Sequence, residues 1–169
     1  MKQFKTLLLA AALFIGGISF MQAQSKIAHI NTQDLIAAMP DMKVAQAEME
    51  KLGKTYEADI KAMATEYQNK MKMYEAEATS KTDEENQKRL VEVQTMQQNI
   101  QQYQNQAQQE MQNKEIDLLK PITEKAKAAI LKVARAQGFE YVLDSTQGGG
   151  VIMSDGTDLL ADVKTELGF

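Results

Sequence analysis

The side chains that could perform chemistry are few and scattered. His29 is the only histidine among the 169 residues, and the chain contains no cysteine. One histidine without cysteine leaves no serine or cysteine triad and no typical zinc-ligand set. His29 lies beside Ile27 and Ile30 in a predicted strand, which is typical of a structural histidine. The sequence does not indicate that it acts as a general base, a metal ligand or a pH switch.

Three short motifs resemble ligand or catalytic sites but lack essential parts. The segment 147–151 is rich in glycine, yet it has neither the lysine nor the following helix of a phosphate loop. The segment 155–158 (Asp-Gly-Thr-Asp) begins like a calcium loop without the later ligands. Glu84 and Glu85 are typical of the first turn of a helix, where negative charge is favourable. We therefore expect no enzymatic activity, no metal and no cofactor.

Apolar side chains instead recur every 11 residues along a long middle stretch. A repeat of 11 residues corresponds to about 3.67 residues per turn, which keeps an apolar stripe on one side of a straight helix. The members of this stripe, which are also the predicted contact residues, are Met49, Leu52, Tyr56, Ile60, Met63, Tyr67, Met71 and Tyr74. Methionine adapts to unlike partners, and a tyrosine ring tolerates partial hydration.

A second stretch repeats two of these rows, and its third row is mostly polar. The two apolar rows are Met96, Ala107, Leu118, Ala129 and Ile100, Met111, Ile122, Val133; the polar row is Tyr103, Lys114, Lys125, Ala136. Two amphipathic helices of this kind predict a long antiparallel hairpin. The stripe could be buried between the two helices, or part of it could face outward and contact another protein. Both interpretations are compatible with the sequence.

Local signals predict where the two long helices begin and end. Pro40 should stop a short preceding helix, and Asp41 should cap the outgoing helix, which then runs to about residue 78. Thr82 and Glu85 form a capping box for the return helix, so the tip lies near residues 79–82. Pro121 predicts a kink in the return helix. We expect Lys88 and Arg89 near the tip to lie on a solvated, charged face.

The return helix should end at Gln137, with Gly138 in the left-handed conformation and Phe139 folding back onto it. Two strands, 140–143 and 151–153, should follow, with the glycine-rich segment as a hairpin connection between them. Asp155-Gly156 should form a turn, and Thr157 or Asp158 should cap a last helix that extends to Leu167.

The remaining parts of the chain are a targeting segment and a small body. Lys2 and Lys5 precede an apolar run from Leu7 to Phe20, which predicts a cleaved secretory signal at residues 1–23. The formal charge of −4 becomes −6 without Lys2 and Lys5, which argues against nucleic acid as a partner. The run is too short for a stable membrane span. The polar helix faces are acidic and glutamine-rich, so any contact with a membrane surface should be transient.

The predicted fold is α+β and mostly α, with residues 24–40 and 137–169 forming a small β-rich body and residues 41–136 forming the hairpin. Because the body has few residues, it buries little core and leaves strand edges open. We therefore expect identical copies to complete the body. The residues predicted to join the copies are Ile27, Ile30, Val142, Leu143, Val151 and Ile152.

The chain resembles the Skp/OmpH family of periplasmic chaperones. The resemblance lies in Lys26–Asn31 (Lys-Ile-Ala-His-Ile-Asn), Gly138–Asp144 and Asp158–Lys164, in this order around a long hairpin. It implies a homotrimer with three helical tentacles around a cavity. It also implies an ATP-independent holdase that binds unfolded outer-membrane proteins in the periplasm and prevents their aggregation.

One departure from the family pattern concerns charge. The best-known member has strongly basic tentacles, whereas residues 41–135 here contain 15 basic and 16 acidic side chains. Apolar contact should therefore contribute more to client binding than electrostatic attraction. The alternative function is a structural coiled-coil spacer or adaptor of the cell envelope, which would bind one folded partner.

Overall fold

The computed structural model describes residues 26–169 and shows a mostly helical α+β fold. The predicted signal segment, residues 1–23, lies outside the described residues. In chain order the elements are β1 (Ile27–Ile30), α1 (Thr32–Ala38), α2 (Pro40–Glu77), a 3₁₀ turn (Ala78–Ser80), α3 (Asp83–Ala136), β2 (Tyr141–Asp144), β3 (Thr157–Asp158) and α4 (Leu160–Leu167). The predicted fold class is confirmed.

The outgoing helix α2 spans 38 residues, or about 57 Å at 1.5 Å per residue. Pro40 is its first residue, where the missing N–H would have had no helical partner. The prediction that Asp41 caps α2 is wrong: the cap position is Met39, which provides no side-chain hydrogen bond. Asp41 lies in the first turn, where its carboxylate forms an ion pair with the Lys125 ammonium group at 2.6 Å.

The return helix α3 begins and ends at the predicted residues, but only one of the two bonds of the predicted capping box is present. The Thr82 hydroxyl accepts a hydrogen bond from the Glu85 N–H at 3.2 Å. At the other end Gly138 has φ +73°, the Phe139 N–H donates to the Ala134 carbonyl, and the Gly138 N–H donates to the Arg135 carbonyl. These two bonds define a Schellman ending. The helix is continuous through Pro121.

The three strands form one parallel sheet in the order β2-β1-β3. The predicted strand at 151–153 is wrong, because that segment has no strand partner; the third strand is Thr157–Asp158. The glycine-rich segment is consequently not a hairpin connection. It belongs to a crossing that carries the chain from one edge of the sheet to the other, since β1 lies between β2 and β3.

The crossing ends beside His29 of β1. The Gly156 carbonyl near its end accepts a hydrogen bond from His29 Nε2 at 3.2 Å. The opposite face, which carries Ala28 and Ile30, packs against α1, α3 and α4 to form the core. Its fully buried large side chains are Ile30, Leu35, Met39, Leu159 and Val163.

The hairpin is far less buried than the body. Among residues 46–121 only Val93 and Ala107 are fully buried, although α2 and α3 pack along their whole shared length. Two helices without a third layer can cover only one side of each other, so most of the apolar stripe remains partly hydrated.

A polar cluster joins the end of β2 to the start of α1. Asn31 caps α1 by accepting from the Asp34 N–H at 3.0 Å. The Asp144 carboxylate accepts from the Thr32 N–H and hydroxyl and from the Thr146 N–H and hydroxyl. Burial raises the pKa of Asp144, but these hydrogen bonds outweigh it and hold the pKa at about 2.

We predict that Asp144 makes the body sensitive to acid. Because its pKa is lower in the folded chain than in the unfolded chain, its contribution is present above about pH 4 and is lost as the pH falls towards 2. Asp144→Ala should lower the free energy of unfolding by about 1 kcal/mol at neutral pH. Urea unfolding at neutral and acid pH measures both effects. Asp144→Asn, which keeps one accepting oxygen, should lose the acid dependence; an unchanged dependence would contradict this assignment.

Candidate functional site

The predicted contact residues lie on the face of α2 that packs against α3. All eight residues except Met71 are half-buried, and Met71 is 41% exposed. The structure thus brings the stripe together along one continuous seam. Its members neither form a sealed core nor stand fully in solvent.

A ladder of polar pairs crosses this seam with the same 11-residue spacing. Glu48 forms an ion pair with Lys114 at 2.7 Å, the Tyr103 hydroxyl donates to Asp59 at 2.8 Å, and Lys70 pairs with Glu92. Each step of 11 residues forward along α2 is matched by 11 residues backward along α3. The hydrogen bond from Tyr103 raises its pKa. The polar row of α3 therefore lies along the seam and pairs with polar side chains of α2, which its sequence pattern does not indicate.

Tyr56 and Tyr103 meet near the middle of the seam. Their rings are 6.0 Å apart with an interplanar angle of 67°, an edge-to-face arrangement. The Tyr56 hydroxyl donates to Glu110, and this bond raises the pKa of Tyr56 to about 12. The same bond lowers the pKa of Glu110. Each tyrosine packs its ring in the seam and keeps its hydroxyl at the hydrated edge.

A second polar cluster closes the hairpin near its tip. Arg89 lies over the Tyr74 ring at 4.5 Å and pairs with Glu77 at 2.7 Å. The Tyr74 hydroxyl donates to Glu92 at 2.5 Å, which raises the pKa of Tyr74. Hydrogen bonds from Lys70 and Tyr74 lower the pKa of Glu92.

The expectation of a solvated face is met by only one of the two basic residues. Lys88 forms an exposed pair with Glu84 at 2.9 Å. The Arg89 side chain is only 12% exposed, so its placement on a solvated face was wrong. The aromatic ring four residues before the turn, Tyr74, could have indicated this contact, because arginine stacks favourably on aromatic faces.

Several large apolar side chains remain exposed near the tip. They come from both arms of the hairpin: Met71, Met73, Leu90 and Val91, with exposures between 41% and 52%. We call these four residues the tip patch; Met71 and Leu90 line one groove between the arms, whereas Met73 lines another groove on α2. Of the four, only Met71 follows the 11-residue rows, so the spacing does not predict the other three.

The predicted oligomerisation residues are spread over both faces of the sheet and the crossing. Ile30 is buried and Val142 is half-buried on the core face. Ile27 and Leu143 are exposed, Val151 is half-buried, and Ile152 is fully exposed. The structure does not bring the six together into one patch.

No catalytic arrangement is present among residues 26–169. His29 has one hydrogen bond, to the Gly156 carbonyl, and no acidic or basic side chain contacts its ring through a hydrogen bond. No group of three or more potential metal ligands occurs in this part of the chain. Of the helices between residues 26 and 169, none is both long enough and apolar enough to span a bilayer.

The fold defined above is a long helical hairpin built on a small parallel-sheet body. The family model for OmpH-like outer membrane proteins matches residues 26–167, so this chain belongs to the OmpH-like family. Its structure is similar to a candidate outer membrane chaperone (OmpH-like) from Caulobacter crescentus CB15, with a TM-score of 0.76. The two chains are 16% identical, and the match covers 86% of this chain and 85% of the other. No curated protein matches the chain in sequence.

We predict that Tyr56 is a late-titrating phenol because of Glu110. Its neutral form is favoured in the folded chain, so the contribution of this bond is present below about pH 10 and is lost as the pH rises towards 12. Ultraviolet absorbance of phenolate during alkaline titration should show a transition near pH 12 that Tyr56→Phe abolishes. Glu110→Gln should move that transition to lower pH, and no movement would contradict the assigned cause.

Proposed function

We propose that the chain is an ATP-independent periplasmic holdase that binds unfolded outer-membrane proteins and prevents their aggregation. The observation that most directly supports this proposal is the exposed tip patch, on a hairpin whose apolar seam is only half-buried. Membership of the OmpH-like family supports a chaperone role in general terms. No ATP site, metal or catalytic group is needed for this function, because a client that folds simply dissociates.

The client-binding surface combines the tip patch with the hydrated edge of the seam. Met71 belongs to both, and Met73, two residues further along the same arm, is 46% exposed on another face of α2. Methionine side chains adapt to different partners because they are unbranched and polarisable. The half-buried seam residues Met49, Leu52, Tyr56, Ile60, Met63, Tyr67 and Tyr74 contribute their exposed edges.

Electrostatic attraction has a small part in this binding. The hairpin has nearly equal numbers of acidic and basic side chains, and many of them pair across the seam or along a helix. Exposed ion pairs contribute little and offer no large field of one sign to a client. The affinity of one hairpin for a client should therefore be weak and only modestly dependent on salt.

Several weak contacts become effective when several hairpins are joined. We include in the proposal a homotrimer held together by the body, with the predicted signal at residues 1–23 directing the chain to the periplasm. Three hairpins on one hub raise the effective concentration of contact sites around a bound client.

The function is tested by light scattering of an unfolded β-barrel protein during refolding. The mature protein should suppress aggregation at a stoichiometric ratio of oligomer to client. The absence of suppression at this ratio would refute the proposed function. A spacer or adaptor of the envelope would give this result and would bind a folded partner instead.

We predict that Met73→Ser with Leu90→Ser weakens client holding severalfold. Both side chains are about half exposed, so the free energy of unfolding should change by less than about 1 kcal/mol. Client affinity is measured by the concentration that halves the scattering, and unfolding by urea titration. Ala76→Ser with Gln87→Ser is the matched control at exposed polar or small positions of the same arms. Equal holding by the variant and the control would contradict a client-binding tip patch.

We predict a different outcome for the seam residues Met63 and Tyr67. Both are half-buried between α2 and α3, so Met63→Ser with Tyr67→Ser removes packing as well as contact surface. The free energy of unfolding should fall by roughly 2 kcal/mol. Circular dichroism during urea titration measures this loss. Unchanged stability would show that the seam is not a packed interface.

A further inference from the structure

The chain places oxidisable sulfur atoms in its contact surface. It contains 11 methionines and no cysteine, so thioethers are its only sulfur groups. Met71 and Met73 make up half of the tip patch, and the side chains of the other two members, Leu90 and Val91, contain only hydrocarbon. An oxidant that reaches this surface therefore finds methionine sulfur and no thiol that would react first.

Exposure separates the methionines into three groups. Met153, in the crossing between β2 and β3, is 77% exposed, Met73 is 46% exposed and Met71 is 41% exposed. The half-buried methionines are Met42, Met49, Met63, Met96 and Met111. Met39 is 1% exposed in the core of the body. Because an oxidant in solution must touch the sulfur, a buried sulfur reacts only when the structure opens locally.

The surroundings of Met73 leave room for an added oxygen. The groove that Met73 lines is otherwise formed by small or polar side chains, among them Ala62, Thr65, Asn69 and Lys70. A sulfoxide oxygen at this position enters water and displaces no packed apolar side chain. Oxidation of Met73 should therefore change the chemistry of the surface and leave the hairpin folded.

Met71 lies at the edge of a different groove, between the two arms. Tyr74, Leu90 and Val93 share this groove with it. Because 41% of Met71 is exposed, an added oxygen can point into water instead of into the seam. Oxidation of Met71 and Met73 together would thus make two separate faces of α2 polar.

A peroxide can supply the oxygen atom. The methionine sulfur donates an electron pair to one oxygen of hydrogen peroxide, so that an S–O bond forms and the O–O bond breaks. The proton on the transferred oxygen passes to the leaving oxygen, which departs as water. The sulfur is oxidised and the peroxide is reduced. The sulfoxide is polar, whereas the thioether is apolar and adapts to unlike partners.

We propose that Met71 and Met73 form an oxidant-sensitive modification site, at which a peroxide weakens client holding without unfolding the hairpin. This inference rests on the proposed function and adds a regulation of the same surface. Charge cannot compensate for the lost apolar contact, because the acidic and basic side chains of the hairpin are nearly balanced. A methionine sulfoxide reductase reverses the change by returning electrons to the sulfur and releasing the oxygen as water.

Peptide mass spectrometry after limited treatment of the mature protein with hydrogen peroxide measures where oxygen is added. Met153 should gain oxygen first, Met73 and Met71 should follow, and Met39 should be last. Oxidation of Met39 as fast as that of Met73 would overturn the site, because accessibility would then not decide reactivity.

Light scattering of an unfolded β-barrel client measures the effect on holding. The treated protein should need a severalfold higher concentration than the untreated protein to halve the scattering, while its helical circular dichroism stays unchanged. Incubation with two methionine sulfoxide reductases, one for each sulfoxide epimer, and dithiothreitol should restore the original concentration. Equal holding before and after treatment would overturn the inference, and so would a loss of helix that accompanies the loss of holding.

Leucine variants assign the effect to a place in the structure. Met71→Leu with Met73→Leu keeps apolar side chains of similar volume that a peroxide does not oxidise, so its own holding should be the same before and after treatment. Met153→Leu is the matched control, at the most exposed methionine of residues 26–169, and treatment should weaken its holding as much as that of the unsubstituted protein. The reverse pattern would place the sensitive site in the body and refute the proposal.

Met71→Gln with Met73→Gln imitates the polarity of the sulfoxides without any oxidant. This variant should hold the client severalfold more weakly than the unsubstituted protein, with unchanged helical circular dichroism, and equal holding would contradict the inference. If the untreated, unsubstituted protein suppresses no aggregation, the proposed function fails and this inference fails with it. If that protein suppresses aggregation equally well after oxidation, only the inference fails.

Discussion

The structure depends on the register in which α2 and α3 pack, because no third layer supports the hairpin. Two helices can bury only the faces that they turn to each other, and here those faces are largely half-buried. Apolar stripes alone specify register weakly, since a slide by one repeat restores similar contacts. The short turn at Ala78–Ser80 limits such a slide, and the polar pairs at Glu48, Asp59 and Lys70 agree with the register that it imposes. Apolar side chains thus hold the arms together, and the turn sets their alignment.

Tyrosine suits this seam because its ring and its hydroxyl have different surroundings. Tyr56, Tyr74 and Tyr103 place their rings at the packed centre and donate their hydroxyl protons to carboxylates at the hydrated edge. A phenylalanine would pack equally well but would leave these acceptors to water. The pKa of Tyr56 is raised and the pKa of Glu110 is lowered by the same hydrogen bond, in which the tyrosine donates and the carboxylate accepts. The seam can therefore stay partly wet without losing its alignment.

Local signals predicted the helical half of the fold, and contacts distant in sequence decided the rest. Thr82 and Gly138 interact with neighbouring residues, so their effects on the ends of α3 can be predicted from a short stretch of sequence. The strand partners of β1 lie more than 100 residues away, and the parallel pairing with β2 and β3 leaves no local mark. Arg89 was misplaced for the same reason, since its burial depends on Tyr74 across the turn. In the candidate site, the 11-residue rows predicted the seam, but Met73, Leu90 and Val91 of the tip patch lie outside these rows.

Residues 151–153 were wrongly predicted as a strand because their β-propensity is high, whereas the structure gives them no strand to pair with. A β-branched segment that leaves the aqueous phase must pair its backbone, and within one chain β1 already has a partner on each side. The only unpaired edges that a single sheet of three strands can offer are the outer sides of β2 and β3. Segment 151–153 pairs with neither of these edges, and the crossing contacts His29 only through Gly156, directly before β3. Strand propensity alone therefore does not make a strand, because the segment also needs an unpaired edge within reach of its backbone.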